Sequence, residues 1–236
     1  MLACMTASPH SLREVRPGRE FIPAGQGAPR HRHLDAYALV VVKGVVAQSN
    51  YAGRVVARAG DLLLQPTLDC HANALQSPGV EILRLPWDRM EGLGGLYRVR
   101  DLDALVRQAE RDPLQAAAIV ALEVAAAQRQ RPADDWPDLL AGDLAADCTE
   151  RLRDWSDRHG LRPETVSRGF AVAYGVTPAR FRRELRTREA WLRITGSGER
   201  LSSIASETGF ADQAHMTRAV SAMTGAGPRV WRARTS

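Results

Sequence analysis

The sequence predicts an α+β protein in two parts: a small N-terminal antiparallel β-barrel with helices after it, and an all-α C-terminal domain with two helix-turn-helix units. Three observations lead to this prediction. Short β-branched runs separated by glycine turns fill residues 38–85, and alanine-rich helical segments follow from residue 101. A sequence repeat then occupies the C-terminal part.

The barrel is predicted from closely spaced strands, which are typical of an antiparallel barrel or sandwich. The predicted strands are Val40–Val42, Val45–Val46, Arg54–Ala57, Leu62–Leu64 and Val80–Leu85. Upstream of them, Ser11–Arg30 is rich in proline and glycine and is predicted to be an irregular arm.

Two helices are predicted after the barrel, Asp101–Arg111 and Pro113–Arg129, because both segments are rich in Ala, Leu, Gln and Arg. The second helix has one broad apolar side, which includes Ile119, Leu122 and Ala126. This side either packs onto the barrel or forms a dimer contact, and both alternatives stay open.

A linker is predicted at Arg131–Asp135. It divides the chain into a barrel with its arm at 1–95, a helical segment and linker at 96–136, and the all-α domain at 137–236. The charge is divided in a similar way. Residues 143–236 contain 16 arginines and 11 acidic residues, whereas residues 1–142 contain 16 basic and 16 acidic residues. The excess of positive charge indicates that the C-terminal part contacts a polyanion.

The repeat consists of Ser167–Gly175 and Thr217–Gly225, which align at a constant offset of 50 residues. The aligned pairs include Arg168 and Arg218, Gly175 and Gly225, and Pro178 and Pro228. Each copy follows a shorter helical segment and a glycine turn: Leu152–His159 before Gly160, and Leu201–Thr208 before Gly209. This order of elements is the helix-turn-helix arrangement.

Helical spacing predicts which face of each copy is buried. The apolar faces comprise Val166, Phe170 and Ala173 in the first copy, and Met216, Val220 and Met223 in the second. Each opposite face carries one arginine, a hydroxyl group and small neighbours, a surface that fits the major groove of DNA. The connecting helix, Pro178–Ile194, would span roughly 25 Å. The two units would then lie about 34 Å apart, the spacing of successive major grooves.

A longer motif runs from Leu201 to Arg218 and ends with Gly225–Arg232. It contains Ile-Ala, Gly-Phe and Asp-Gln pairs, then an arginine, and then Gly-x-x-Pro with a final arginine. This pattern resembles the AraC/XylS family of transcription regulators over about the last ninety residues. The chain departs from the family at Ala214, where serine is common, and at Met216 and Val220, where phenylalanine is common.

The resemblance implies a set of residues that contact DNA bases. They are Glu164, Ser167 and Arg168 in the first unit, and Gln213, Ala214, Thr217 and Arg218 in the second. Helix N-termini and surrounding arginines would contact phosphates.

The N-terminal half is similar to the cupin-like barrel that precedes this domain in many family members. The similarity lies in His31-Arg32-His33, Gly60-Asp61 and His71. Residues 31 and 33 of a strand point the same way. Three interpretations of His31, His33, Tyr37 and His71 remain open. They line a pocket for a small-molecule effector, or His31, His33 and His71 bind a divalent transition metal, or all four are ordinary residues of the barrel rim. The glutamate of metal-binding cupins is missing.

The sequence therefore predicts a DNA-binding transcription regulator that responds to a small-molecule effector. The alternative is a cupin metalloprotein with an appended DNA-binding module. Because no pairing of acid, base or nucleophile stands out, no enzymatic activity is predicted. The partners expected are double-stranded DNA, an effector, a second copy of the chain in a homodimer, and RNA polymerase. A cytoplasmic location is expected, since there is no signal-peptide pattern or long apolar run.

Overall fold

The computed structural model describes residues 12–13, 15–87, 92, 94–127, 135–148 and 150–235. The strands in these ranges are β1 Leu12–Arg13, β2 Gly18–Pro23, β3 Ala28–His33, β4 Tyr37–Lys43, β5 Val45–Asn50, β6 Gly53–Arg58, β7 Asp61–Gln65, β8 His71–Leu75, β9 Gly79–Pro86 and β10 Gly95–Arg98. The helices are α1 Leu102–Arg111, α2 Pro113–Ala126, α3 Trp136–Ala146, α4 Leu152–Arg158, α5 Pro163–Tyr174, α6 Pro178–Gly196, α7 Leu201–Glu207, α8 Gln213–Thr224 and α9 Pro228–Thr235.

The strands form two five-stranded sheets, in the orders β1-β3-β8-β5-β6 and β10-β7-β4-β9-β2. All pairs are antiparallel except the short β1, which runs parallel to β3. The helical C-terminal part follows the barrel, so the predicted α+β fold with a barrel and a double helix-turn-helix domain is confirmed. No helix in the described ranges is both long enough and apolar enough to cross a bilayer.

The second sheet is buried on both faces, which explains the uninterrupted leucine run of β7. Leu63 packs towards the other sheet, in the cluster that holds Val46 and Ala57. Leu62 and Leu64 point the opposite way and pack against α1 and α2. This sheet therefore lies between the barrel interior and the two helices.

Helix α2 turns only part of its apolar surface towards the barrel. Ala116 and Val120 are fully buried against the sheet. Leu122, on the side that the sequence predicted to be apolar, is 74% exposed, and Leu114 is 72% exposed. The helix ends at Ala126, and residues 128–134, which include most of the predicted linker, lie outside the described part of the chain.

The prediction of an irregular arm over Ser11–Arg30 was wrong. Residues 18–23 form β2, which pairs with β9 over six positions at a sheet edge, and β3 begins at Ala28. The prolines are compatible with this arrangement because Pro17 precedes the strand and Pro23 ends it. Strand β8, His71–Leu75, was not predicted at all.

The C-terminal domain contains two apolar clusters that share α6. Phe181 and Leu185 belong to the first cluster, with residues of α3, α4 and α5. Ala190, Trp191 and Ile194 belong to the second, with residues of α7, α8 and α9. One continuous helix thus contributes to the core of both helix-turn-helix units.

The barrel is joined to this domain by a buried ion cluster. The Glu184 carboxylate on α6 lies 2.9 Å from Arg30 and 3.6 Å from Arg32 of β3, and 3.1 Å from Arg180 of its own helix. The Arg30, Arg32 and Glu184 side chains are each less than 10% exposed. Burial alone would raise the pKa of Glu184, but the guanidinium groups, Arg30 foremost, outweigh it and hold that pKa below its usual value.

Replacing Glu184 by Gln should lower the free energy of unfolding by about 3 kcal/mol, because it leaves two buried guanidinium groups without their counter-charge. Urea denaturation followed by circular dichroism measures the change. Glu189→Gln is the matched control, because Glu189 is exposed on the same helix. It should change stability by no more than about 0.5 kcal/mol. Equal midpoints for the two variants would contradict the assignment.

Candidate DNA-binding surface and barrel pocket

The second helix of each helix-turn-helix unit is α5 in the first unit and α8 in the second. Gly160 and Gly209 lie in the turns that precede them, with φ of 64° and 75°. Both helices also end on a glycine in the left-handed conformation, Gly175 with φ of 70° and Gly225 with φ of 78°. Since such angles favour glycine, the aligned glycines set where both helices end.

The predicted base-contacting residues lie on the outer sides of α5 and α8. Val166 and Phe170 are fully buried on the inner side of α5, as are Met216 and Val220 on that of α8. The predicted residues that are exposed comprise Glu164, Arg168, Gln213, Ala214 and Arg218, while Ser167 and Thr217 are half-buried. The structure therefore presents matched arginines on two outward helix faces.

Sequence reasoning missed Val172, which lies one turn after Arg168 and is 89% exposed. An apolar side chain this exposed on such a helix suits contact with a thymine methyl group. Its helical phase could have revealed it, because residues 168 and 172 share a face.

It also missed a group of basic side chains beside α8. Arg180 and Arg183 of α6 and His215 and Arg218 of α8 line a cavity of about 350 Å³, together with Arg32 of the barrel. Glu184 is the acidic residue of this lining, and it already pairs with Arg180 and Arg32. The cavity wall is thus strongly cationic, as a phosphate contact requires.

The histidines predicted from the sequence come together inside the barrel. His31 and His33 alternate on β3, and His71 lies opposite His31 in the register with β8. One ligand nitrogen of each of the three histidines lies within 4.8 Å of the others. The Tyr37 hydroxyl, at the start of β4, lies 3.4 Å from Nε2 of His71.

Backbone carbonyls fix the orientation of two of these rings. Nδ1 of His31 donates to the Pro29 carbonyl at 2.8 Å, and Nδ1 of His71 donates to the Asp69 carbonyl at 3.2 Å. In a neutral ring with this orientation, Nε2 is the acceptor. Burial, followed by the neighbouring His31 and His33, lowers the pKa of His71 well below its usual value, so this ring is neutral near pH 7.

The His31, His33 and Tyr37 side chains form one wall of a cavity of about 580 Å³ inside the barrel, and His71 lies buried beside His31. The remaining lining is mixed. It includes apolar Leu39, Val46, Leu75 and Ile82, and charged Glu20 and Arg84, which form an ion pair. The cavity combines a polar wall of imidazoles with an apolar body, the usual composition of a small-molecule site.

A larger cavity, of about 1060 Å³, lies on the outer face of the first sheet. It is lined by small residues such as Ala47, Ala72 and Ala74, with the Arg54–Asp138 ion pair among its lining residues. None of the three histidines lines it, so the histidine pocket is the better candidate for specific recognition.

Comparison with known families identifies the C-terminal part. Residues 155–234 match the family model described as a helix-turn-helix domain. The domain predicted from the repeat is therefore confirmed, and the chain is a DNA-binding transcription regulator. No curated protein sequence matches the chain significantly.

Several solved structures are similar to the chain at low sequence identity. ToxT from Vibrio cholerae, bound to an unsaturated fatty acid, is 11% identical with a TM-score of 0.41, covering 94% of this chain and 97% of ToxT. An AraC-type transcriptional regulator from Chromobacterium violaceum is 19% identical with a TM-score of 0.39, covering 41% of this chain and 88% of that one. A probable AraC family regulator from Rhodopseudomonas palustris is 17% identical with a TM-score of 0.38, covering 41% and 93%.

Proposed function

We propose that this protein is an effector-responsive transcription regulator of the AraC/XylS type, which reads two successive major grooves and senses a small molecule in its barrel. The pairing of Arg168 with Arg218 on two outward helix faces carries the DNA-binding part of this proposal. The regulator acts in the cytoplasm, where it meets DNA and RNA polymerase. It has no proposed catalytic role.

The effector pocket is proposed on the chemistry of its walls. The Tyr37 hydroxyl and the imidazoles of His31 and His33 offer hydrogen bonds. Leu39, Val46 and Ile82 offer apolar contact. A small organic molecule with a polar group at one end of an apolar body fits this division. Such an effector changes DNA affinity only if it binds two conformations of the protein unequally.

Replacing Arg168 or Arg218 by Ala should weaken binding by about 1–3 kcal/mol and relax base preference at one position, since a bidentate contact to guanine is lost. Duplexes are first selected from a random library by the wild-type protein, and variant affinities are then measured by fluorescence anisotropy. Two conserved blocks about one helical turn apart are expected among the selected duplexes.

Arg111→Ala is the control for loss of charge alone, because Arg111 is exposed at the end of α1, outside the helix-turn-helix units. If Arg168→Ala and Arg218→Ala bound every sequence as the wild type does, α5 and α8 would not be the recognition helices. If the library yielded no preferred sequence, the proposed function itself would be wrong.

A metal sensor is the second candidate, and the histidine geometry favours it. Three histidine nitrogens lie within 4.8 Å of one another, and hydrogen bonds to backbone carbonyls orient the rings of His31 and His71 through Nδ1. This second layer of hydrogen bonds is typical of metal-ligating histidines. His31, His33 and His71 would hold a divalent transition metal such as zinc, with a fourth position supplied from within the pocket.

Titration with Zn²⁺, followed by elemental analysis of the dialysed protein, decides between the two occupants. A metal sensor would retain about one equivalent, and His31→Ala and His71→Ala would both lose it, because a site of two histidines is incomplete. The control is His215→Ala, an exposed histidine outside the barrel. Absence of stoichiometric metal in the wild type would leave the organic effector as the occupant.

A homodimer is proposed through the exposed side of α2. Leu114, Ala118 and Leu122 lie on one helix face at four-residue spacing, and all three are exposed. Glu123 is the charged residue of α2, and it accepts a hydrogen bond from the Arg100 backbone at 3.3 Å. An uncharged face that alternates large and small side chains is self-complementary, so a second copy of α2 in antiparallel orientation fits it.

Leu122→Glu should therefore convert the protein to a monomer, because it places a carboxylate in an apolar contact. Sedimentation velocity measures the change over a range of protein concentrations. Ala104→Glu adds the same charge at an exposed position of α1 and should leave the dimer intact. A wild-type protein that stays monomeric at micromolar concentration would refute this interface.

A further inference from the structure

One short turn of the barrel contacts both helix-turn-helix units and carries one of the three clustered histidines. It joins β7 to β8 and contains Thr67, Leu68, Asp69 and Cys70 before His71 begins β8. Leu68 belongs to the apolar cluster of the second helix-turn-helix unit, and Cys70 to that of the first. His71 belongs to the histidine cluster, with His31 and His33.

The Leu68 side chain is inserted into the apolar cluster of the second unit. It is fully buried in the same apolar cluster as Ala190, Trp191 and Ile194 of α6. Full burial of a leucine stabilises a contact by about 1.5–3 kcal/mol. Beside it, Nε of Arg188 donates to the Thr67 carbonyl at 2.7 Å, so the turn is held by both packing and a charged donor.

The backbone of Leu68 is in the left-handed conformation, with φ of 56°. A leucine adopts this conformation only when its surroundings compensate the cost. The compensation visible here is the buried side chain and a hydrogen bond from the Leu68 N–H to the His33 carbonyl at 2.8 Å. The same turn residue is thus fixed by the DNA-binding domain and by the strand that carries His33.

The other end of the turn contacts the first unit. Cys70 packs in that unit's cluster together with Tyr51, whose ring lies edge-on to Phe181 of α6 at 5.3 Å between centroids. The Asp69 side chain accepts from the Tyr51 N–H at 3.3 Å, and the Asp69 carbonyl accepts from Nδ1 of His71. Asp69 thus links His71 to Tyr51, a residue that packs the barrel against α6.

We propose that the turn from Thr67 to His71 is the coupling element of this protein, through which the histidine cluster beside the pocket alters the packing of both helix-turn-helix units around α6. This inference rests on the proposed DNA-binding function. It assigns the transmission of the signal to Leu68.

A double-mutant cycle on the full-length protein tests the coupling, with affinity for the selected duplex as the readout. Leu68→Gly deletes the buried side chain and keeps the backbone conformation of the turn, since glycine readily adopts a positive φ. His71→Ala perturbs the pocket. We expect His71→Ala to change DNA affinity at least about threefold in the wild-type background, and to have no effect in the Leu68→Gly background. In the control cycle, Leu83→Ala takes the place of Leu68→Gly and truncates a buried leucine of the barrel core. In the Leu83→Ala background, His71→Ala should change DNA affinity as much as it does in the wild type.

The inference is overturned if His71→Ala leaves affinity unchanged in the wild type, or if the effects of His71→Ala and Leu68→Gly simply multiply. Hydrogen exchange gives a second readout that does not depend on DNA. His71→Ala should speed amide exchange in α7 of the wild type but not of Leu68→Gly. If His71→Ala leaves the rate of amide exchange in α7 unchanged, the inference is overturned even if DNA binding is normal. A failure to select any DNA, in contrast, contradicts the proposed function alone.

Discussion

A carboxylate taken out of water must be surrounded by donors, and Glu184 meets this requirement only when the barrel is seated on α6. Its own helix supplies Arg180, but the two most buried cations, Arg30 and Arg32, come from β3. Removal of the barrel would take away two of the three cationic partners of this carboxylate. The cost of separating these charges fixes the register between barrel and helix more strictly than apolar packing, which tolerates sliding.

The alternation of side chains along β3 gives this strand two separate roles. Arg30 and Arg32 point to one face and meet α6, whereas His31 and His33 point to the other face and line the pocket. Because successive residues of a strand face opposite sides, four consecutive residues connect the pocket to the DNA-binding domain. A one-residue shift of β3 would place the histidines against Glu184 and the arginines inside the barrel, so both roles depend on one register.

The parts of the fold that could be predicted are those encoded in local spacing. The repeat predicts α5 and α8 with their buried faces, because helical periodicity and the glycines after Tyr174 and Thr224 are visible within twelve residues. The approach of His31, His33 and His71 follows from the resemblance to a small barrel. Strand β2 was missed because its prolines obscure the pattern, although they stand where no ladder donor is needed. The insertion of Leu68 had no local signal, since its partners lie more than 120 residues away along the chain.

The net charge of +5 identified the DNA-binding part, but many of its arginines are occupied within the protein. These internal contacts comprise Arg158 with Glu150, Arg180 with Glu184, Arg186 with the Cys148 and Gly209 carbonyls, Arg188 with the Thr67 carbonyl, and Arg193 with Glu199 and Glu207. Within the described ranges, Arg168, Arg183 and Arg218 are among the arginines for which the structure shows no carboxylate partner. Since the salt dependence of DNA binding reports the phosphates neutralised, at a slope of about 0.9 for each, it reflects this smaller group of arginines. The count of arginines therefore indicates where DNA binds, and their internal pairing determines which of them remain to contact it.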